Sequence, residues 1–185
     1  MATFEFDPRS IPVEAFAKQA GALQGKWPLA QFERLADAGQ MAQEPGPDRQ
    51  VQWQARGELR AVHGGEGQVW LHLHVRAGLS LVCQRCLRPM PVAVEEERSF
   101  LFVHGEAAAE KLDAELEEDV LATTRSLDLF GLVEDELLLA LPLVPRHEPA
   151  CPKPLVVAAH TTEEADGVAN PFAALATLKQ RPTLN

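Results

Sequence analysis

Val69-Trp70-Leu71-His72-Leu73-His74-Val75-Arg76 alternates without a fault: odd positions are apolar, and even positions carry indole, imidazole or guanidinium. A period of two means a strand with one face buried and the other turned outward. The preceding segment repeats the pattern, because Val51-Gln52-Trp53-Gln54-Ala55-Arg56-Gly57-Glu58-Leu59-Arg60 keeps apolar or small residues at odd positions. His63-Gly64-Gly65-Glu66-Gly67 between the two supplies a hairpin turn. Downstream, Ala77-Gly78 predicts a break, and Leu79-Ser80-Leu81-Val82 leads into Cys83-Gln84-Arg85-Cys86. After Pro89-Met90-Pro91, residues Val92 to Val103 return as a long strand. Its centre, Glu95-Glu96-Glu97-Arg98, is too polar for burial and predicts an exposed or bulged stretch.

Helical signals flank this β region. Phe4-Glu5-Phe6 reads as a short strand, and Asp7-Pro8 fits a helix start with Asp as cap and Pro at the first position. A second helix is predicted from Pro28, with Leu29, Phe32, Leu35 and Ala36 on one side and Gly39 to end it. His104 to Asp119 is small and acidic, a surface loop or a frayed helix. A helix is predicted from Gly131 to Leu141, with Glu134, Asp135 and Glu136 in its first turns and Leu132, Val133, Leu137, Ala140 and Leu141 facing a sheet. Pro142 stops it. Asn170-Pro171 opens a last short helix whose apolar stripe is Phe172, Leu175 and Leu178. The expected fold is α+β: an antiparallel sheet, open to strong curvature, with helices packed on one face. Residues 1–144 form the domain, 145–169 a proline-rich and acidic linker, and 170–185 a helical tail.

The 185 residues carry a formal net charge of −10, so the molecule as a whole is not drawn to nucleic acid or to an anionic membrane. The charge is uneven. Arg49 to Val94 holds six arginines against Glu58 and Glu66, whereas His104 to Ala140 holds eleven acids against Lys111 and Arg125. No apolar run approaches the roughly twenty residues a membrane-spanning helix needs. Three cysteines without a signal peptide point to a reducing cytoplasm rather than a disulfide framework.

Those cysteines are the strongest chemical signal. A Cys-x-x-Cys turn aims two sulfurs at one centre, and Cys151, four residues after His147, offers a further pair. Cys83, Cys86, His147 and Cys151 together make the ligand count of a tetrahedral structural zinc site. Inert reduced thiols in a β-turn and a redox pair are the other two readings, although Leu87-Arg88-Pro89-Met90-Pro91 denies the helix that a thioredoxin-like motif requires. On the outward strand face, Trp70, His72, His74, Arg76, Arg56 and Arg60 could stack bases and hold phosphates, with Arg85 and Arg88 beside them. A plain solvated sheet face is the alternative. Glu134-Asp135-Glu136 diverge by about 100° per residue and do not converge on one substrate atom. No nucleotide-binding glycine loop or nucleophile elbow is present.

Cys83-Gln84-Arg85-Cys86, the run from Asp128 through Val133-Glu134-Asp135-Glu136 and Leu141-Pro142 to His147, and Asn170-Pro171-Phe172 to Lys179 resemble the bacterial YceD family, the large ribosomal RNA subunit accumulation proteins. Gln24-Gly25 followed by Gln31-Phe32-Glu33-Arg34-Leu35-Ala36 also fits, so the resemblance covers nearly the whole chain. It implies a small cytoplasmic protein acting in synthesis, processing or stability of large-subunit ribosomal RNA, and it brings no catalytic residues. The expectation is a non-enzymatic ribosome-biogenesis factor. It would bind ribosomal RNA through the basic strand face, or a basic ribosomal protein through the acidic segment; no membrane and no small-molecule substrate is expected. A Cys-x-x-Cys redox or metal-dependent enzyme, and an adaptor docking through Phe172, Leu175 and Leu178, are the competing classes.

Overall fold

The computed structural model describes residues 6–38, 41–42, 50–62, 64–65 and 67–152. The chain divides into two compact units, Met1–Pro154 and Leu155–Asn185. The second unit, including the predicted helix at Phe172, Leu175 and Leu178, lies outside the described residues, as do Phe4 and Glu5. Pro145 to Pro152, read from sequence as the start of a linker, belongs to the first unit.

Five strands form one sheet in the order of the chain: β1 (Ala22–Pro28), β2 (Gln50–Arg60), β3 (Gln68–Val82), β4 (Pro89–Val103) and β5 (Asp119–Ala122). The first four are antiparallel; β5 runs parallel to β4, with Leu101 opposite Val120. The class is α+β. The predicted break at Ala77-Gly78 does not occur, since Ala77 sits opposite Val94 and Gly78 opposite Ala93 in an uninterrupted ladder. Pairing along both long strands outweighs the local weakness of a glycine. The ladder also runs straight through Glu95 to Arg98 with no bulge. The strand begins at Pro89, three residues before the predicted start. Pro89 and Pro91 are tolerated because β5 pairs only with Phe100 to Val103, which leaves the other end of β4 an edge.

The odd-numbered face of β2 and β3 is the core. Val51, Leu71, Leu73, Leu79 and Leu81 are buried there with Phe16, Leu129, Val133 and Leu137 from the helices. Helix α1 (Val13–Lys18) lies across β2 and β3. Its close approach depends on Gly57, where a Cβ would stand 2.8 Å from the Ala17 backbone nitrogen. The predicted helix start at Asp7-Pro8 is instead a turn: the Asp7 carboxylate accepts from Arg9 N–H at 2.9 Å and the Asp7 carbonyl from Ser10 N–H at 2.9 Å. Local side-chain bonding of this kind competes with a helix.

The region predicted as a helix from Pro28 splits into a 3₁₀ turn at Leu29–Gln31 and α2 (Glu33–Asp37), and β1, which was not predicted, runs up to Pro28 before them. β1 carries Leu23, Gly25 and Trp27 toward the core. Gly25 lies opposite Trp53, whose ring leaves no space for a side chain: a Cβ at Gly25 would be 2.7 Å from it. Trp27 stacks on Trp53 with ring centroids 4.4 Å apart. Of the two readings of His104 to Asp119, loop or frayed helix, the structure forms a helix, α3 (Glu106–Asp113). It covers one corner of the other sheet face, where Ala109 joins Trp70, Leu101 and Val120 in a second buried cluster.

Helix α4 (Leu129–Leu139) begins two residues before the predicted start, at an Asp128 cap whose carboxylate accepts Phe130 N–H at 3.0 Å. The acidic triplet therefore sits in mid-helix rather than in the first turns. Glu134 and Glu136 are buried, not solvated. Glu134 Oε1 accepts the backbone N–H groups of Arg34 (2.9 Å) and Leu35 (3.2 Å), and its Oε2 accepts Arg34 Nε at 2.8 Å. Asp135 takes the same guanidinium. Phe32 stacks on Phe130 at 4.4 Å. A carboxylate from α4 thus caps the start of α2, which has no cap of its own. The Phe32-Glu33-Arg34-Leu35 and Val133-Glu134-Asp135 blocks meet at this one joint.

Candidate metal centre and the open sheet face

Beyond the end of β3 the chain turns sharply back into β4. Cys83 N–H donates to the Arg88 carbonyl (2.9 Å), Leu87 N–H donates to the Cys83 carbonyl (2.8 Å), and Leu87 takes a left-handed φ of 57°. The turn places Cys83 and Cys86 side by side. After α4 the chain returns to this knuckle, anchored by Gln84 N–H donating to the Pro145 carbonyl at 2.8 Å. His147 and Cys151 then complete a set of four donors whose ligand atoms all lie within 4.8 Å of one another. The three cysteines are free thiols and are buried.

The spacings suit a tetrahedral ion. Zinc–thiolate bonds of about 2.3 Å at tetrahedral angles separate two sulfurs by about 3.8 Å, and a sulfur from an imidazole nitrogen by about 3.5 Å. Cys83 Sγ and Cys151 Sγ are 3.8 Å apart, and Cys86 Sγ is 3.5 Å from His147 Nδ1. Burial pushes the Cys83 thiol up, but hydrogen bonds from the backbone of His147, Arg85 and Cys86 and from the His147 ring outweigh it and bring the thiol down to about 5. Burial and the neighbouring sulfurs push Cys151 up to about 11. A pocket that favours a thiolate at one sulfur while crowding three together is chemically compatible with a cation. All four predicted ligands are brought together.

The basic residues predicted to face RNA divide between two places. Arg56 lies opposite His72, Gln54 opposite His74, and Gln52 opposite Arg76, so these share the outward sheet face. Arg60 and Trp70 belong to the same face. Trp70 is nevertheless only 5% exposed, packed beneath α3 with the Arg60 guanidinium 4.3 Å over its ring. It cannot stack a base, and that part of the prediction is corrected. The polarity of even positions along β3 gave no hint that α3 would cross over this corner.

Carboxylates also neutralise part of the face. Glu58 accepts from Arg60 Nε at 2.9 Å and lies 2.7 Å from His72 Nε2, while Ser99 Oγ holds the other nitrogen of that ring at 2.8 Å. Glu95 accepts from Arg76 Nε at 2.7 Å and lies 3.0 Å from His74 Nε2. Hydrogen bonds from Arg60 and then His72 hold Glu58 below its ordinary value of 4.5, and those from Arg76 and then His74 do the same for Glu95. Arg56 pairs with no carboxylate among the described residues. Beside it runs a shallow groove of about 320 Å³ lined by Gln24, Lys26, Gln52, Gln54, His74 and Arg76. Lys26 and Gln24 were missed from sequence because β1 was not read as a strand, although Leu23, Gly25 and Trp27 do alternate.

Arg85 and Arg88 lie on the knuckle rather than on the sheet face. Both are exposed, and neither pairs with a carboxylate among the described residues. Three of the eleven acids of the acidic segment are withdrawn from its surface, since Glu134 and Glu136 are buried and Asp135 is engaged by Arg34. No helix among the described residues is long and apolar enough to cross a membrane.

Residues 71–179 match the model of the family described as "Large ribosomal RNA subunit accumulation protein YceD". A protein of that same name from Haemophilus influenzae is 38% identical over 113 residues, which cover 58% of this chain and 63% of the relative. The match thus spans just under two thirds of that relative's length. No solved structure matches the chain.

Proposed function

The chain belongs to the YceD family, and from that premise we propose that it is a non-enzymatic ribosome-biogenesis factor supporting synthesis, processing or stability of large-subunit ribosomal RNA. It acts in the cytoplasm by binding ribosomal RNA, with a large-subunit ribosomal protein as the other partner class. The observation that carries the RNA reading is the set of exposed guanidiniums without carboxylate partners among the described residues: Arg56 on the sheet face, and Arg85 and Arg88 on the knuckle. Unpaired guanidiniums are free to make bidentate contacts with phosphate, whereas Arg60 and Arg76 must first give up a glutamate. His72 and His74 are second-rank contacts for the same reason.

Cys83, Cys86, His147 and Cys151 would hold a structural zinc ion. Closed four-ligand sites of this kind contribute folding energy and leave no coordination position for substrate. The donor set therefore supports a fastening role rather than a redox or hydrolytic one. Reversing Arg85 and Arg88 to Glu tests the RNA reading directly. Capture of ribosomal RNA from growing cells should fall sharply while folding is retained, and the capture that remains should depend less steeply on salt. Undiminished RNA capture by that variant at both low and high salt would sink it.

A further inference from the structure

The segment that brings His147 to the knuckle also brings Arg146, a residue that sequence reasoning left aside. Arg146 is exposed, and it lines one open groove of about 630 Å³ together with Arg85, His147, Glu148 and Pro149. Each arginine is one residue from a ligand: Arg85 lies between Gln84 and Cys86, and Arg146 immediately precedes His147. Neither has a carboxylate partner among the described residues, Glu148 included. One backbone–backbone hydrogen bond, Gln84 N–H to the Pro145 carbonyl, joins the two loops that carry them.

We propose that Arg85 and Arg146 form a two-guanidinium cradle for an RNA phosphodiester, assembled by the metal ion that fastens the two loops together. This rests on the RNA and zinc readings above and adds a residue and a dependence that neither contains. The guanidiniums come from segments about sixty residues apart, so their spacing is set by whatever closes the Cys83–Cys86–His147–Cys151 tetrahedron. Outside the contacts of the four donor groups themselves, the one neutral hydrogen bond between the loops is a weak tie, worth about 1 kcal/mol net. Four metal–ligand bonds are a strong one. Three thiolates against a divalent ion leave one negative charge at the centre, and Glu148 adds a second; Arg85, Arg88 and Arg146 outweigh the two. The cradle therefore presents net positive charge to a phosphate. RNA is favoured over an acidic peptide because a phosphodiester chain offers evenly spaced anions to two rigid planar forks.

The test uses the full chain purified without chelator and a fluorescently labelled RNA of mixed sequence, about twenty nucleotides long so as to cover several phosphates. Affinity is followed by anisotropy across a salt series, and bound zinc is measured on the same samples. Arg146→Glu and the milder Arg146→Gln should keep their zinc and melting temperature. They should weaken RNA binding by about tenfold and about threefold respectively, and should flatten the log K against log salt slope by about 0.7–0.9. Chelation should lower wild-type affinity to the level of Arg146→Glu, and Arg146→Glu should lose little more once chelated. Zinc-replete Arg146 variants that bind as wild type would overturn the cradle and leave the RNA reading standing, whereas wild type without affinity at low salt would overturn the RNA reading itself. Affinity indifferent to full removal of zinc would overturn metal assembly. Equal competition by poly-glutamate at matched charge would overturn the assignment of RNA as occupant.

Discussion

Single side chains at two positions decide more than their chemistry alone would suggest. At Cys151 the third sulfur completes a donor set that the knuckle begins, and its removal leaves three ligands around a site built for four. Cys151→Ala should therefore lose most of its zinc and melt at a lower temperature than wild type. Chelation should lower the wild-type melting temperature by a similar amount and change the variant little; elemental analysis beside thermal melts checks this. At Gly57 the constraint is purely steric. A methyl group would meet the Ala17 backbone nitrogen at 2.8 Å and its Cα at 2.9 Å, and a helix backbone cannot swing aside as a flexible side chain can. Gly57→Ala should cost about 1–3 kcal/mol in a urea titration, with the midpoint moving and the slope unchanged.

The joint between α2 and α4 is an interaction of elements, and its key group is Glu134. Glu134→Ala removes two backbone hydrogen bonds at the start of α2 together with one partner of Arg34. A loss of about 1–2 kcal/mol is expected, with faster amide exchange confined first to Glu33–Asp37. Glu136, two residues on, behaves oppositely. Burial, helped by the nearby carboxylates of Asp119, Glu96 and Asp135, holds its carboxyl above the ordinary 4.5 despite Arg98, whose Nε stands 3.3 Å from Oε2 without the geometry of a hydrogen bond. Because the folded value is raised, the ionised side chain costs stability above that value, and the cost disappears as pH falls below the unfolded 4.5. Glu136→Gln should thus melt higher than wild type near neutral pH, with the gap closing by about pH 4. These two carboxylates also mark the limit of what the sequence could tell. β2 and β3 were legible because alternation is local, and the helix predicted from Gly131 to Leu141 lies within two residues of α4 at each end. Glu134 read as a solvated helix start because its partner, Arg34, stands one hundred residues away. β1 was hidden because Gly25, an empty position in the alternation, is filled by the Trp53 ring from the neighbouring strand. The four ligands were identifiable by type and spacing, but their convergence depends on the return of Pro145 to the knuckle, which no local pattern encodes.

Taken whole, the first unit is an acidic body in which three of the arginines without a carboxylate partner among the described residues, Arg85, Arg88 and Arg146, share the knuckle, while Arg9, Arg56 and Arg125 stand apart. The sheet face carries Arg56, Arg60, Arg76 and Lys26 against Glu58, Glu95 and Glu97, so it is close to neutral when the imidazoles are uncharged. The knuckle carries Arg85, Arg88 and Arg146 against Glu148 alone. Long-range attraction of a polyanion to a molecule of net charge −10 is weak, so binding must be short-range and orientation-specific. Two consequences can be separated by experiment. If the knuckle leads, Arg85→Glu with Arg88→Glu should reduce affinity for ribosomal RNA far more than Arg56→Glu does, and each lost phosphate contact should remove about 0.7–0.9 from the salt slope. Releasing the sheet-face arginines from their clamps should instead create affinity there. Glu58→Gln with Glu95→Gln frees Arg60 and Arg76, and RNA binding should rise by severalfold with a steeper slope, because two further guanidiniums become available to phosphate. A change confined to the knuckle variant would assign the contact to the metal-fastened tip; equal losses at Arg56 and the knuckle would assign it to one surface running along the sheet.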